Sequence, residues 1–336
     1  MKTKYASKKR ALLRRAALSA VISVTLWPQA EAFAQTAAST YPDKPIRLVV
    51  PNAPGGTNDM IARLVAHQLE LQMKQPLVVE NRAGANGLIG YAAVANADPD
   101  GYTIMHTPPS LTINEFIYKD VKYGMKDFRP ITNISLGNGY LIVTSSNSPI
   151  KTLDDLKAAT TRGEGVTYGS AGLGNTTHLA SALLAQRMDV EMLHVPFKGV
   201  PDALNAVVAG SVDVVSAPPI STLNYIQSGR LRLIAFTGES RWSELPDVPT
   251  VAETYPGFNM PGAWLGWFGP KDMPAEIATR LQQEIAKALE VPEVHEAILK
   301  GGQMPDGRSP EEFEKLLDSE AIRYREAVKA AKIDPQ

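Results

Sequence analysis

The chain has 336 residues, more than one typical domain of about 100–200, so two domains are expected. Lys and Arg number 34 against 35 Asp and Glu. The first 34 residues, however, hold Lys2, Lys4, Lys8, Lys9, Arg10, Arg14 and Arg15 with Glu31 as their one acid, which leaves 27 basic and 34 acidic side chains beyond them, a net of −7. A body this acidic has no electrostatic footprint for nucleic acid, and 44 % apolar content excludes global disorder. With no cysteine, disulfides, thiolate metal sites and cysteine nucleophiles are excluded together.

The basic stretch runs into an apolar segment from Ala16 to Trp27, then Pro28 and the small residues Ala30, Ala32 and Ala34. That layout predicts a secretory signal over residues 1–34, cleaved after Ala34, and an exported product. Twelve apolar-run residues are short for a bilayer span. A disordered basic tail is the alternative, and Arg14-Arg15 leaves twin-arginine export open beside the general route.

From Tyr41 onward, β-branched runs alternate with helical patterns. Ile46 to Val50 reads as a buried strand, followed by Gly55-Gly56 and a helix carrying Ile61, Leu64 and Val65. Leu77 to Val79 is the second strand, Gly87 to Asn96 a helix, Asp98 to Gly101 a turn, and Tyr102 to His106 the third strand. A second series starts near Leu141 and continues through strands at Val166–Ser170, Met192–Phe197, Val212–Ser216 and Leu231–Phe236. Helices at Thr176–Arg187 and Pro201–Ala209 lie between them. This order predicts two α/β lobes with parallel, Rossmann-like sheets. Helices behind Pro274 and Ser309-Pro310 have no strands of their own and should pack back onto the first sheet. Lobe 1 is thus expected over 35–142 plus 262–336 and lobe 2 over 143–261. The two crossover strands, near Leu141–Thr144 and Gly262–Phe268, would form a hinge.

Ligands collect at the carboxyl ends of parallel strands, where helices begin. Two turns stand out there. Pro51 to Asp59 contains Gly55 and Gly56, which let backbone N–H groups turn outward at the positive end of the next helix. Ser170 to His178 repeats the arrangement with Gly172 and Gly174 and adds hydroxyl and amide groups at Ser170, Asn175, Thr176 and Thr177. Each turn could also serve only to connect strand and helix. Charge-assisted hydrogen bonds contribute about 1.5–3 kcal/mol each, so about four could hold a small carboxylate at micromolar affinity, about −8 kcal/mol. Lys198 is a candidate counter-charge or a partner for Asp202. Asp59 could hold a ligand ammonium or favour its helix N-terminus, and His178 could face the ligand or be satisfied by its loop. Asp213, at the head of a strand, is a further candidate that fits a loop-fixing role better. Trp264 and Trp267 belong to the core or to a ligand wall.

Enzyme templates fit poorly. No two of the histidines at 67, 106, 178, 194 and 295 have the i, i+4 spacing of a zinc helix. Tyr168-Gly169-Ser170-Ala171-Gly172 lacks the first glycine of a nucleophile elbow, and Gly84 to Gly90 is not the dinucleotide fingerprint. No metal or cofactor is expected.

The residues as a set resemble the Bug family of periplasmic solute-binding proteins, receptors associated with tripartite tricarboxylate transporters. The resemblance runs from Tyr41-Pro42-Asp43-Lys44-Pro45-Ile46 and Pro54-Gly55-Gly56 with Asp59, through Glu80-Asn81-Arg82-Ala83-Gly84 and Asp98-Pro99-Asp100-Gly101-Tyr102. It continues at Tyr168-Gly169-Ser170, His194-Val195-Pro196-Phe197-Lys198-Gly199, Leu245 to Thr250 and Pro310-Glu311-Glu312-Phe313. It implies a two-lobed Venus-flytrap periplasmic binding protein that closes on a small organic carboxylate and hands it transiently to membrane transporter subunits, without enzymatic activity. A monomer is expected. It further implies that Gly55, Gly56, Thr57, Asn58 and Asp59, with Ser170, Gly174, Asn175, Thr176 and His178, hold a ligand carboxylate, partly through water. Asn52-Ala53 departs from the family, where an aromatic or similarly bulky residue and proline are usual. An extracytoplasmic sensor is the alternative function, and an exported α/β hydrolase with Ser170 as nucleophile and His178 or His194 as base the remote one.

Overall fold

The computed structural model describes residues 41–162, 165–258, 260–331, 333 and 335. The predicted signal and its cleavage point lie outside the described residues. From Lys44 the order is β1 (Ile46–Val50), α1 (Thr57–Met73), β2 (Leu77–Asn81), α2 (Leu88–Ala95), β3 (Thr103–Thr107), α3 (Ser110–Ile117) and β4 (Phe128–Gly137). There follow β5 (Leu141–Ser145), α4 (Leu153–Thr161), β6 (Thr167–Ser170), α5 (Thr176–Met188), β7 (Leu193–Pro196), α6 (Val200–Val208), β8 (Val214–Ala217), α7 (Pro219–Gln227) and β9 (Leu231–Phe236). The chain ends with α8 (Val251–Thr254), β10 (Trp264–Pro270), α9 (Ala275–Glu290), α10 (Pro292–Lys300), β11 (Gln303–Pro305) and α11 (Pro310–Ala330).

Two sheets result, in the orders β11-β4-β10-β3-β1-β2 and β7-β6-β8-β5-β9. The predicted parallel pairings are present as β2-β1-β3 and β7-β6-β8. Neither sheet is wholly parallel, which corrects the expectation. Strand β10 runs against β3 and β4, β11 against β4, and β5 against β8 and β9. The cause is where these strands enter. A strand that starts at the cleft must run opposite to strands that end there, and β5 and β10 start there because the chain has just come from the other sheet. The chain leaves the first sheet after Gly137, enters the second at Leu141, and returns between Phe236 and Trp264.

The two crossings lie side by side. Gly137 N–H donates to Ala263 O at 2.9 Å, and Thr237 N–H to Tyr140 O at 3.0 Å. Gly262 passes so close that a Cβ there would meet the Gly137 backbone at 2.4 Å, a contact only glycine allows.

Helix α1 buries Ile61, Ala62, Val65, Ala66 and Leu69 at the spacing of one helical face. Capping boxes start α4 at Thr152 and α11 at Ser309, with Asp155 and Glu312 as their reciprocal partners. Helix α9 packs on α1 and β4 as expected, whereas α11 touches α3 and β4 of the first sheet and also α5 beside the second. Trp264 and Trp267 are fully buried core residues: Trp264 packs on Phe268 and Phe313, and Trp267 Nε1 donates to His106 Nδ1 at 2.7 Å.

Candidate functional site

The loop after β1 is built around Asp59. Its buried carboxylate accepts from Gly55 N–H at 2.9 Å, Asn81 Nδ2 at 2.9 Å and Arg63 Nε at 3.0 and 3.1 Å. Burial alone would raise its pKa, but the bonds from Arg63, Gly55 and Asn81 outweigh burial and hold the carboxyl below its usual range. Gly55 adopts φ +80°, a conformation open to glycine. Asp59 and Gly55 therefore frame the loop. Gly56 is the N-cap of α1 and brings no capping side chain, so the first N–H groups of this helix have no side-chain acceptor.

The loop after β6 solves the same problem differently. Asn175 caps α5, accepting from Thr177 N–H at 3.1 Å. Thr177 Oγ1 accepts from Ala171 N–H at 2.9 Å, and Gly174 N–H donates to His178 Nδ1 at 2.9 Å. Ser170 Oγ accepts from Gly172 N–H and lies 2.6 Å from His194 Nε2. Most donors here are consumed within the loop, so the two turns, alike in sequence, differ in what they offer. Behind this loop the His178 and His194 rings stack at 3.8 Å with Tyr168 against both. Burial pushes His178 down to about 3, helped by His194 beside it, and His194 down to about 4. Both rings are neutral near pH 7.

Between the two loops lies a cavity with about 60 Å³ open to the centres of water-sized groups, against about 10–15 Å³ for one water. Of the predicted site residues, Gly56, Thr57, Asn58, Asn175 and Thr176 line it. Gly55, Asp59, Ser170, Gly174 and His178 stand behind this lining as its frame. Lys198 lies on a neighbouring chamber of about 410 Å³, which shares Asn52 and Ala171 with the inner cavity. Asp213 is elsewhere: its Oδ2 accepts from Thr167 N–H and Thr167 Oγ1, both at 2.8 Å. Thr167 starts β6, whereas the ligand loop leaves its last residue, so Asp213 pins the opposite end of that strand.

Sequence reasoning missed Pro108 and Pro218, which follow β3 and β8 and line the cavity from the same carboxyl edges. A proline directly after a strand at that edge was the available signal. It also missed Tyr140 and Gln303, which reach the cavity from the crossing and from β11 and had no local signal. Ser221 was unforeseeable in the same way. Its Oγ lies 2.6 Å from Thr57 Oγ1, joining the first turn of α1 to α7 across the cleft. No cavity-lining side chain is charged, and among the described residues no cluster of His, Asp and Glu is arranged to hold a metal ion.

The sequence profile of the tripartite tricarboxylate transporter family receptors (TctC) matches residues 61–333. The chain belongs to this family. Among its relatives is the UPF0065 protein in the tcbD-tcbE intergenic region of Pseudomonas sp. (strain P51), 38 % identical over 307 residues, covering 88 % of this chain and 91 % of that one. Similar solved structures include R. palustris Rpa4515 with adipate, at 30 % identity and TM-score 0.84, covering 88 % of this chain and 100 % of that one. MatC of Rhodopseudomonas palustris with bound malate matches at 27 % identity and TM-score 0.79, over 86 % of this chain and 100 % of that one. The receptor is accordingly a two-lobed solute-binding protein of the periplasmic binding protein fold. No helix among its described residues is long and apolar enough to cross a membrane.

Within this receptor the Ser170–His194 contact does not make a hydrolytic centre. Ser170 is fully buried and stands off the cavity lining. Its hydroxyl is also engaged with Gly172. The contact fits the role of bracing the loop from behind.

Proposed function

We propose that the receptor is exported to the periplasm, closes on a small organic carboxylate and passes it to the membrane subunits of a tripartite tricarboxylate-type transporter. The observation that carries this reading is the cavity itself. It is small, free of charged side chains and placed against the uncapped first turn of α1, with Asn175, Thr176 and Tyr140 opposite. Unpaired N–H groups and the positive helix end stabilise an anion where the net acidic body does not. The adipate and malate held by the two R. palustris relatives have the same chemistry. In this reading residues 35–142 with 262–336 and residues 143–261 are the two closing lobes, cleavage follows Ala34, and the receptor acts as a monomer.

Thermal-shift and calorimetric screening of mono- and dicarboxylates, malate and adipate included, tests the proposal. Stabilisation by at least one acid, growing with its concentration as mass action requires, is expected. No stabilisation across the panel refutes it.

In this reading the Thr57–Ser221 hydroxyl pair, 2.6 Å apart, ties the lobes together when they close. One such bond contributes about 0.5–1.5 kcal/mol, so Ser221→Ala should weaken binding roughly two- to tenfold by lowering the closed population. Unchanged affinity would assign the pair no part in closure.

A further inference from the structure

One amide in the cavity wall is fixed in orientation, and its free end is an acceptor. Asn58 is 6 % exposed and lines the cavity. One end of its side chain faces two groups at hydrogen-bond distance: His106 O at 3.1 Å and the Asn52 side-chain oxygen at 2.8 Å. A backbone carbonyl can only accept, so the end of Asn58 that faces His106 must be Nδ2. The Asn52 atom that meets Asn58 Nδ2 must in turn be Oδ1. Both amides are thus oriented by one carbonyl. Asn58 Oδ1 is left buried with no hydrogen-bond partner among the described residues.

The rest of the wall supplies donors. The first N–H groups of α1 have no capping side chain. The Tyr140 hydroxyl, 1 % exposed as a residue, is likewise buried without an aligned partner, beside Thr176 and the Ala263 backbone. Such a wall suits a carboxylate except at Asn58 Oδ1, which a carboxylate oxygen can only repel. An orphaned buried acceptor is costly unless the ligand brings a donor to it.

The identity of that donor follows from charge. An ammonium would enter a cavity with no acidic side chain in its lining. The acid in the adjoining turn, Asp59, is already committed to Gly55, Asn81 and Arg63. A full positive charge would be desolvated there without compensation. A hydroxyl brings the donor without the charge. Because Asn58 belongs to the same first turn that receives the carboxylate, that hydroxyl belongs on the carbon next to it.

We infer that the receptor selects 2-hydroxycarboxylates over their unsubstituted, 2-keto and 2-amino counterparts, and that Asn58 Oδ1, oriented by Asn52 and His106, reads the hydroxyl. The inference rests on the carboxylate reading above and narrows it to one ligand class. Room for only a few water-sized groups agrees with a compact acid of this kind.

Calorimetric titration of matched acids tests it: lactate against propionate, pyruvate and alanine, and malate against succinate and aspartate. In each set that binds, the hydroxy acid should be tightest by roughly tenfold or more, the scale of one satisfied against one orphaned buried acceptor. Asn58→Leu should bring the hydroxy acid down to the level of its unsubstituted partner. Should that variant not fold, Asn52→Ala, which leaves Asn58 held by His106 alone, should lower the same ratio. Equal binding of unsubstituted and hydroxy acids, tighter binding of the keto or amino acid, or binding only by acids that lack a 2-hydroxyl, overturns the inference and leaves the carboxylate receptor standing. Failure of every carboxylate in these sets and in the wider screen removes both.

Discussion

Replacing Asp59 with alanine should destabilise the receptor by about 2–4 kcal/mol and abolish carboxylate binding, though Asp59 stands behind the cavity lining. The carboxylate holds the Gly55 N–H, Asn81 and Arg63 in one arrangement. Hydrogen bonds to a charged group contribute about 1.5–3 kcal/mol each, and water recovers part of that at the exposed Gly55 and Arg63 donors. Without that frame the Gly55-Gly56 turn loses its φ +80° geometry, and the first N–H groups of α1 no longer converge. Asp59→Asn keeps one acceptor oxygen and should fall between the two. Denaturant unfolding and calorimetry check both effects. Wild-type stability with intact binding in Asp59→Ala would show that the turn holds its shape without the carboxylate. The pH dependence has a definite sign. Since the folded carboxyl lies below its ordinary range, its contribution is present above the unfolded pKa and is lost as pH falls through the folded one.

Acid should also weaken the receptor through the stacked histidines, at higher pH than the carboxylates do. Unfolded histidine titrates near 6.5, whereas His178 in the fold is held down to about 3 and His194 to about 4. Above the unfolded value both states are neutral and nothing is lost. Between about 6.5 and the folded values, the unfolded chain takes up protons that the native rings refuse, so stability declines as pH falls. At pH 4 the difference for His178 amounts to about 3 kcal/mol, with a smaller share from the more exposed His194. Tm measured from pH 7 to pH 4 should decline steadily, and His178→Gln, which keeps an acceptor for Gly174 N–H, should flatten the decline. An unaltered acid limb in that variant would mean the ring is protonated in the fold.

The parts of the site carried by short contiguous motifs were legible. Gly55-Gly56 and Ser170 to His178 announced themselves because a strand, a glycine turn and a helix start are consecutive in the chain. What each turn does with its N–H groups was not. The loop after β6 closes on itself because Asn175, Thr177 and His178 fold back onto it, while the loop after β1 is held from outside by Asn81, more than twenty positions on. Strand β4 escaped notice for a related reason. Thr132, Asn133 and Ser135 make it look polar, yet all three are buried. Their partners are Arg308 O, Asp306 Oδ2 and Gln303 Oε1, at the far end of the chain.

By itself the sequence determined the α/β periodicity, the two glycine-bearing helix starts and the family resemblance, since each is written in residues close together along the chain. Only the tertiary structure decided that β5, β10 and β11 run against their neighbours and that Tyr140, Gln303 and Ser221 reach the cleft. Strand direction depends on the side from which the chain enters a sheet. Cavity walls depend on which strand ends meet across two crossings. Both are set by long-range closure, for which no local spacing of residues exists.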